Sequence, residues 1–198
     1  MFARNLTLIL LTLSFAAIAG ERGGSAGNGG GALVCRNDFD HVLSIELIDL
    51  AEGRVVLGHQ HEASVDPLAK IRKASPDFAV LVEEELANTH ARLSLTKDRE
   101  QLEETSDVST DLKVFDCPVE QLGNYVDETN TLFVDRTLYQ RLNTLNLSAF
   151  HLHEAIYKIA REKNGATYSD SVRKLVSAAH ASNSTTIEII NLIQQIAP

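Results

Sequence analysis

The sequence predicts an α+β fold: a small antiparallel sheet, several helices and a C-terminal half that is mainly helical. Two short runs rich in β-branched and aromatic residues, at 112–115 and 131–134, are separated by turn-forming residues and predict antiparallel strands. Apolar residues at helical spacing lie before these strands, at 67–102, and after them, from 137 to the end. Strands in the middle of a helical chain are typical of an α+β domain.

The first 19 residues have the three parts of a secretory signal peptide. Arg4 provides the basic start, Leu6 to Ala16 form an apolar stretch, and Ala17-Ile18-Ala19 provides small residues before a cleavage site at Gly20. The apolar stretch is shorter than the ~20 residues of a membrane-spanning helix. We therefore expect cleavage after residue 19, export to the periplasm or the medium, and no transmembrane segment in the mature protein.

Residues 20–31 are rich in glycine and predict a flexible leader, so the single α+β domain is expected at 32–198. A first strand is expected at 32–36. The pattern at 42–50 fits a strand or a helix that begins near Ser44, and the two remain open.

Helix signals divide the remainder of the chain. Pro76 with Asp77 suits a helix start within 67–102. Short and long helices are expected at 137–142 and 148–163, and Asn164-Gly165 is a typical stop. Ser169 is expected to cap the next helix, and Ser184 to open the last one.

The charge of the chain excludes simple electrostatic binding to nucleic acid. The whole sequence has 18 basic and 27 acidic residues and a net charge of −9. Without Arg4 the mature part keeps 17 basic residues against the same 27 acidic ones, a net charge of −10. Polyanions bind clusters of Lys and Arg, so we expect no nucleic-acid partner. The sequence identifies no other partner.

Cys35 and Cys117 are the only two cysteines. In an oxidising compartment an even pair far apart in sequence favours one disulfide, worth about 4 kcal/mol in the chain-entropy model. Metal ligation and a nucleophilic role are the alternatives. Neither cysteine has a second ligand at metal spacing or a neighbouring base, so the disulfide is preferred.

One segment, Phe150-His151-Leu152-His153-Glu154-Ala155-Ile156-Tyr157, could carry chemistry. In a zinc hydrolase helix of the form H-E-x-x-H, two histidines four residues apart share a face and hold one metal, while the glutamate activates the bound water. Here Tyr157 stands in the place of the second histidine. A phenol must lose its proton to bind zinc well, so other ligands would have to compensate. His151 lies about 200° around the helix from His153 and cannot easily share its metal.

The segment belongs to a wider resemblance. Val34-Cys35-Arg36, the stretch 152–158 and Asp170-Ser171-Val172-Arg173 are similar to motifs of a group of exported proteins from predatory and related proteobacteria. The order of strand, short helix and L-H-E helix also resembles the core of minimal zincin-type metallopeptidases. The first resemblance implies export but no particular activity, and it covers both ends of the mature chain. The second implies a zincin-like helix pair and a divalent metal, with zinc first.

Three functional interpretations remain open. In the first, His153, Tyr157 and either Asp170 or His180 hold the metal, and Glu154 is the general base of a peptidase-like hydrolase. In the second, the helix is zincin-like but structural, and a buried Glu154 pairs with Arg173. In the third, the motif is accidental and the protein is a non-catalytic binding module of the cell envelope.

A smaller cluster lies at His59 and His61. Residues two apart share a face of an extended segment, so the two imidazoles could bind a metal there. Solvated loop residues are the preferred interpretation.

Overall fold

The computed structural model describes residues 26–27, 30–97, 102 and 117–198, and these form an α+β fold as expected. The predicted signal peptide and the expected strand at 112–115 lie outside the described residues. The strands described are β1 (Ala26–Gly27), β2 (Gly31–Arg36), β3 (Val42–Leu47), β4 (Leu93–Leu95), β5 (Val119–Gln121), β6 (Gly123–Val126) and β7 (Thr131–Val134). The helices described are α1 (Ile48–Val56), α2 (Pro67–Ala74), α3 (Pro76–Arg92), α4 (Arg136–Tyr139), α5 (Thr144–Asn164), α6 (Asp170–His180) and α7 (Thr186–Ile196).

The strands form two small sheets. One has the order β3-β2-β5 and is antiparallel throughout. The other has the order β1-β6-β7-β4, and its β4–β7 pair is parallel. A parallel pair needs a long connection, and α3 leads into β4 far upstream of β7. The sheet part of the fold is therefore divided, with one parallel edge that the sequence pattern did not indicate.

The first part of the chain differs from expectation at three places. Within the predicted leader 20–31, Ala26–Gly27 pairs with β6 and Gly31 begins β2. The ambiguous stretch 42–50 is a strand and then a helix, which join between Leu47 and Ile48. The helical prediction for 67–102 is wrong at β4, because Leu93–Leu95 pairs with β7 instead of extending α3.

The helix boundaries have local causes. Ser75 and Asn143 accept backbone N–H bonds at the starts of α3 and α5, and Gly165, with φ of 67°, ends α5 as expected. Ser169 does precede α6, but its hydroxyl makes no capping bond. The last helix is capped by Thr185 and not by Ser184, because Thr185 and Glu188 form a reciprocal capping box.

Helix α5 lies at the centre of the molecule. It packs against α3, α6, α7 and β3, and its buried residues include Phe150, Ile156 and Tyr157. The core around it also takes residues from both sheets. A helix buried on most of its circumference cannot present its polar side chains to water, so every polar residue on α5 that faces inward needs a partner within the protein.

Cys35 and Cys117 form a disulfide, as predicted from the sequence. It ties β2 to the residues just before β5, across a separation of 82 residues. Within 30–97 and 117–198, no helix combines the length and the apolarity that a membrane crossing requires.

Candidate functional site

His153 lies on the buried face of α5 and pairs with Asp49, in the first turn of α1. Its Nδ1–H donates to Asp49 Oδ1 over 2.7 Å, and both side chains are 1% exposed. Burial alone would lower the pKa of His153, but the charge and the hydrogen bond of Asp49, helped by Glu154, outweigh it and raise that pKa. The Asp49–His153 pair therefore favours the imidazolium form.

The pair is incompletely bonded. Asp49 Oδ2 and His153 Nε2 are both buried without a hydrogen-bond partner. A carboxylate that orients one ring nitrogen and leaves the other available is also the arrangement found behind metal-binding and catalytic histidines. The space beside Asp49 measures about 10 Å³, which is room for no more than one water molecule. A substrate has no route to His153 through that space.

Glu154, the candidate general base, is held by backbone. Gly30 N–H donates to Glu154 Oε1 over 2.9 Å. A Cβ atom on Gly30 or on Gly123 would lie 3.4 Å from the same oxygen, so two glycines bring the main chain close to the carboxyl group. Burial raises the pKa of Glu154, and Asp49 adds to the rise against the opposing effects of His153 and Gly30. Gly30, within the predicted leader, thus has a packing role.

The other three candidate ligands each have a different partner. Tyr157 donates its hydroxyl to the carbonyl of Thr167 over 3.2 Å. Asp170 is about half exposed and binds Lys174 over 2.7 Å. His180 is buried, and its nitrogens contact Ser148 Oγ and the carbonyl of Val176. Burial lowers the pKa of His180, which favours its neutral form.

Arg173 is buried beside α1 rather than paired with Glu154. Its Nε donates to Glu52 Oε2 over 2.9 Å, and its other nitrogens contact Ser169 and Asp170. The expected Glu154–Arg173 pair is not formed, because α1 packs against α6 and places Glu52 next to the guanidinium. The carboxylate that Arg173 binds on α1 is therefore that of Glu52.

The predicted metal ligands do not converge. Of the four predicted ligands, only His153 and Tyr157 have their rings near each other, with centroids 6.0 Å apart. Among the described residues no group of three His, Cys, Asp or Glu side chains is arranged to hold a metal ion. A hydrolase centre at His153 would need these side chains to move and the α5 face to open.

A second polar cluster, which we term the histidine–serine chain, consists of His61, Ser177, His59 and Glu188. Because a carboxylate only accepts, His59 Nε2–H donates to Glu188 Oε1 over 2.9 Å; when the ring carries no second proton, its Nδ1 accepts from Ser177 Oγ–H over 2.7 Å. His61 Nε2–H donates to Ser177 Oγ over 2.8 Å. Each hydrogen bond in the chain thus has one donor and one acceptor.

The histidine–serine chain attaches residues 59–61, which follow α1, to helices α6 and α7. The backbone of His61 pairs with Ala181 as an isolated bridge, and Gln60 and Ser182 add further bonds. At Gly53 a Cβ would lie 1.6 Å from Ser177 Oγ, so only glycine allows α1 to pack this closely. His59 is therefore buried and not a solvated loop residue, which corrects the preferred interpretation from the sequence.

Sequence reasoning missed Asp49, Ser177 and Glu188. The T-x-x-E pattern of Thr185 and Glu188 is a local signal that could have marked the last helix start. Asp49 and Ser177 had no comparable signal, since their partners are 104 and 118 residues away.

A groove beside α7 has Glu188 of the histidine–serine chain in its lining, but neither Asp49 nor His153. It measures about 380 Å³ and runs along α7, where Leu57, Ile187 and Leu192 provide apolar surface. Neither His153 nor Glu154 lines it. Comparison of the chain with protein-family models, with curated proteins and with solved structures found no match.

Proposed function

We propose that this protein is an exported, non-catalytic module of the cell envelope or the medium, in which the L-H-E helix is structural. The observation that carries the proposal is the position of Glu154. Glu154 is 4% exposed and its carboxyl group is engaged by Gly30 N–H, so no substrate or metal-bound water can reach it in this conformation. A general base must lie within hydrogen-bond reach of the proton that it takes.

Export is supported by three observations. The disulfide closes a loop across 82 residues, and such bonds persist in oxidising compartments. The first 19 residues have the order of a signal peptide, and the motifs of the L-H-E helix resemble those of the exported proteobacterial group. Expression in a bacterial host tests this directly: the mature protein should begin at Gly20 by N-terminal sequencing and be released with the periplasmic fraction. Retention of Met1 on a cytoplasmic product would contradict export.

A structural role for Glu154 predicts a difference between two substitutions. Glu154→Ala removes the acceptor of Gly30 N–H and leaves a cavity, so unfolding should become easier by more than ~1 kcal/mol. Glu154→Gln keeps an acceptor and resembles the protonated carboxyl that burial favours, so its stability at pH 7 should equal or exceed that of the wild type. Urea unfolding measures both.

The sign of the pH dependence follows from the raised pKa of Glu154. The unfolded carboxyl loses its proton near pH ~4.5 while the folded one keeps it, so folding stability falls as pH rises above that value. Glu154→Gln should remove this fall. An equal loss of stability in the Gln and Ala variants, at every pH, would contradict the assigned role.

Metal-dependent hydrolysis is the second candidate function, and one observation favours it. His153 Nε2 is unpartnered although Asp49 orients the ring from Nδ1. If this nitrogen binds zinc, protein purified without chelator should contain one ion per chain that His153→Gln removes, and peptidase activity should be lost in Glu154→Gln. Absence of any divalent ion after such a preparation would exclude this candidate.

A further inference from the structure

Two histidines from different helices meet at the surface, away from the L-H-E face. His90 lies in the last turn of α3 and His151 in α5, and their ring centroids are 4.4 Å apart with the planes at 83°. His90 is exposed and His151 is half-buried. Within the described part of the chain, neither ring has a carboxylate partner in an ion pair. The pair is thus two imidazoles without a counter-charge.

Tyr139, at the end of α4, fixes the ring of His151. Its hydroxyl oxygen lies 2.9 Å from His151 Nε2. When Nε2 carries the proton and donates to this oxygen, the lone pair of His151 is on Nδ1. No described residue makes a hydrogen bond to Nδ1. An oxygen that accepts from one ring nitrogen, and so sets the tautomer of the other, is the usual companion of a metal-binding histidine.

The protonation state of His151 favours the same use. Burial lowers the pKa of His151 to about 4, and the charge of His90 adds to the effect. At neutral pH the His151 ring is therefore uncharged, so a metal ion does not have to displace a proton from it. The groups that face the ring are His90 from α3, Tyr139 from α4 and Phe150 from α5 itself.

We propose that His90 and His151 bind one divalent first-row transition-metal ion, Cu²⁺ more tightly than Zn²⁺, with water in the remaining positions and Tyr139 as the positioning residue. The distance fits. With metal–nitrogen bonds of about 2.0–2.1 Å and an N–metal–N angle of about 90°, as in a square-planar copper site, two imidazoles place their centroids about 4.5 Å apart, close to the 4.4 Å found here. Imidazole nitrogen suits both ions, and divalent affinity rises to Cu²⁺ along the series.

Titration of the tag-free protein with Cu²⁺ in the presence of a weak competing chelator tests the proposal. We expect one ion per chain at pH 7.5. His90→Gln should weaken binding at least tenfold, and Tyr139→Phe should weaken it about tenfold because the tautomer of His151 is no longer set. His41→Gln is the matched control, since His41 is also an exposed histidine, and it should leave the affinity unchanged.

Two further measurements make the test decisive. Electron paramagnetic resonance of the Cu²⁺ complex should show coupling to two nitrogen ligands in the wild type and to one in His90→Gln. Zn²⁺ should compete with Cu²⁺, whereas Mg²⁺ should not. Because His90 is exposed, its variant is expected to fold, and a melting curve verifies this; His151→Gln then serves as confirmation.

If the Cu²⁺ affinity is unchanged in His90→Gln, the ion binds elsewhere, for example at the chain terminus, and the proposal is overturned. The absence of stoichiometric binding to the wild type would also overturn it. The outcome is independent of the proposed function: an ion at His153 would remain in His90→Gln and leave in His153→Gln.

Discussion

The Asp49–His153 pair and the histidine–serine chain use the same chemistry, a histidine beside a carboxylate, in two different ways. In the histidine–serine chain, hydrogen bonds link His61, Ser177, His59 and Glu188 in that order, and each of the linking atoms has a partner. In the pair, one hydrogen bond is made, and Asp49 Oδ2 and His153 Nε2 have no partner although they are buried.

The difference separates a polar network that stabilises the fold from one that costs free energy. A buried group without a partner costs about 1–3 kcal/mol, and more when it is charged. The histidine–serine chain avoids that cost because Ser177 both donates and accepts. The Asp49–His153 pair bears it, offset by the attraction between the two side chains at low exposure. The two clusters should therefore respond differently when a partner is removed.

The largest effect is expected from Asp49→Ala. It leaves His153 in the core without a counter-charge, and breaking a buried pair in this way typically costs about 4 kcal/mol. We expect a much lower midpoint of urea unfolding. The double variant Asp49→Ala, His153→Leu should recover most of this loss, because no uncompensated imidazole remains in the core. If the stability losses of Asp49→Ala and His153→Leu simply add in the double variant, the two side chains are not coupled.

A smaller effect is expected on acidification, through His61. Burial lowers the pKa of His61 to about 4, with contributions from His59, His180 and Arg54. The unfolded ring titrates near ~6.5. Stability from this group is thus complete above pH 6.5 and is lost as pH falls towards 4. The full shift corresponds to about 3 kcal/mol, and solvent screening of this partly exposed ring reduces the expected loss to about 2 kcal/mol. Unfolding free energies measured from pH 7 to pH 4 give the slope.

His61→Gln is the matched variant for that slope, because an amide N–H can still donate towards Ser177 Oγ but does not titrate. His61→Gln should reduce the number of protons that the chain takes up on unfolding by about one. His151, whose pKa is also lowered to about 4, contributes the same sign and should remain. A slope identical to that of the wild type would mean that His61 does not titrate abnormally.

The smallest effect is expected from Ser177→Ala, which removes the hydroxyl at the centre of the histidine–serine chain. Its neighbour His61 is partly exposed and can turn towards water more easily than His153 can, so we expect a loss of about 1 kcal/mol in the free energy of unfolding. Ser171→Ala, on the same helix, serves as control, since the partner of the Ser171 hydroxyl among the described residues is the exposed Gln195. A loss as large as that of Asp49→Ala would remove the distinction between the clusters.

The sequence alone determined the features that depend on neighbours in the chain. The start of α3 follows from Pro76 and the end of α5 from Asn164 and Gly165, because capping groups reach no further than a few residues. The α+β class follows from the periodicity of apolar residues, and the disulfide from the number and spacing of the cysteines. Each of these needs no knowledge of which elements pack together.

Only the tertiary structure decided which polar groups meet. Asp49 with His153, Gly30 with Glu154 and His59 with Ser177 are separated by 104, 124 and 118 residues. Their side chains are selected by the packing of α1, α5 and α6, and no local pattern records that packing. For the same reason the H-E pair on α5 resembles a metal-binding motif in sequence, whereas in the fold its partners are Asp49 and a glycine backbone.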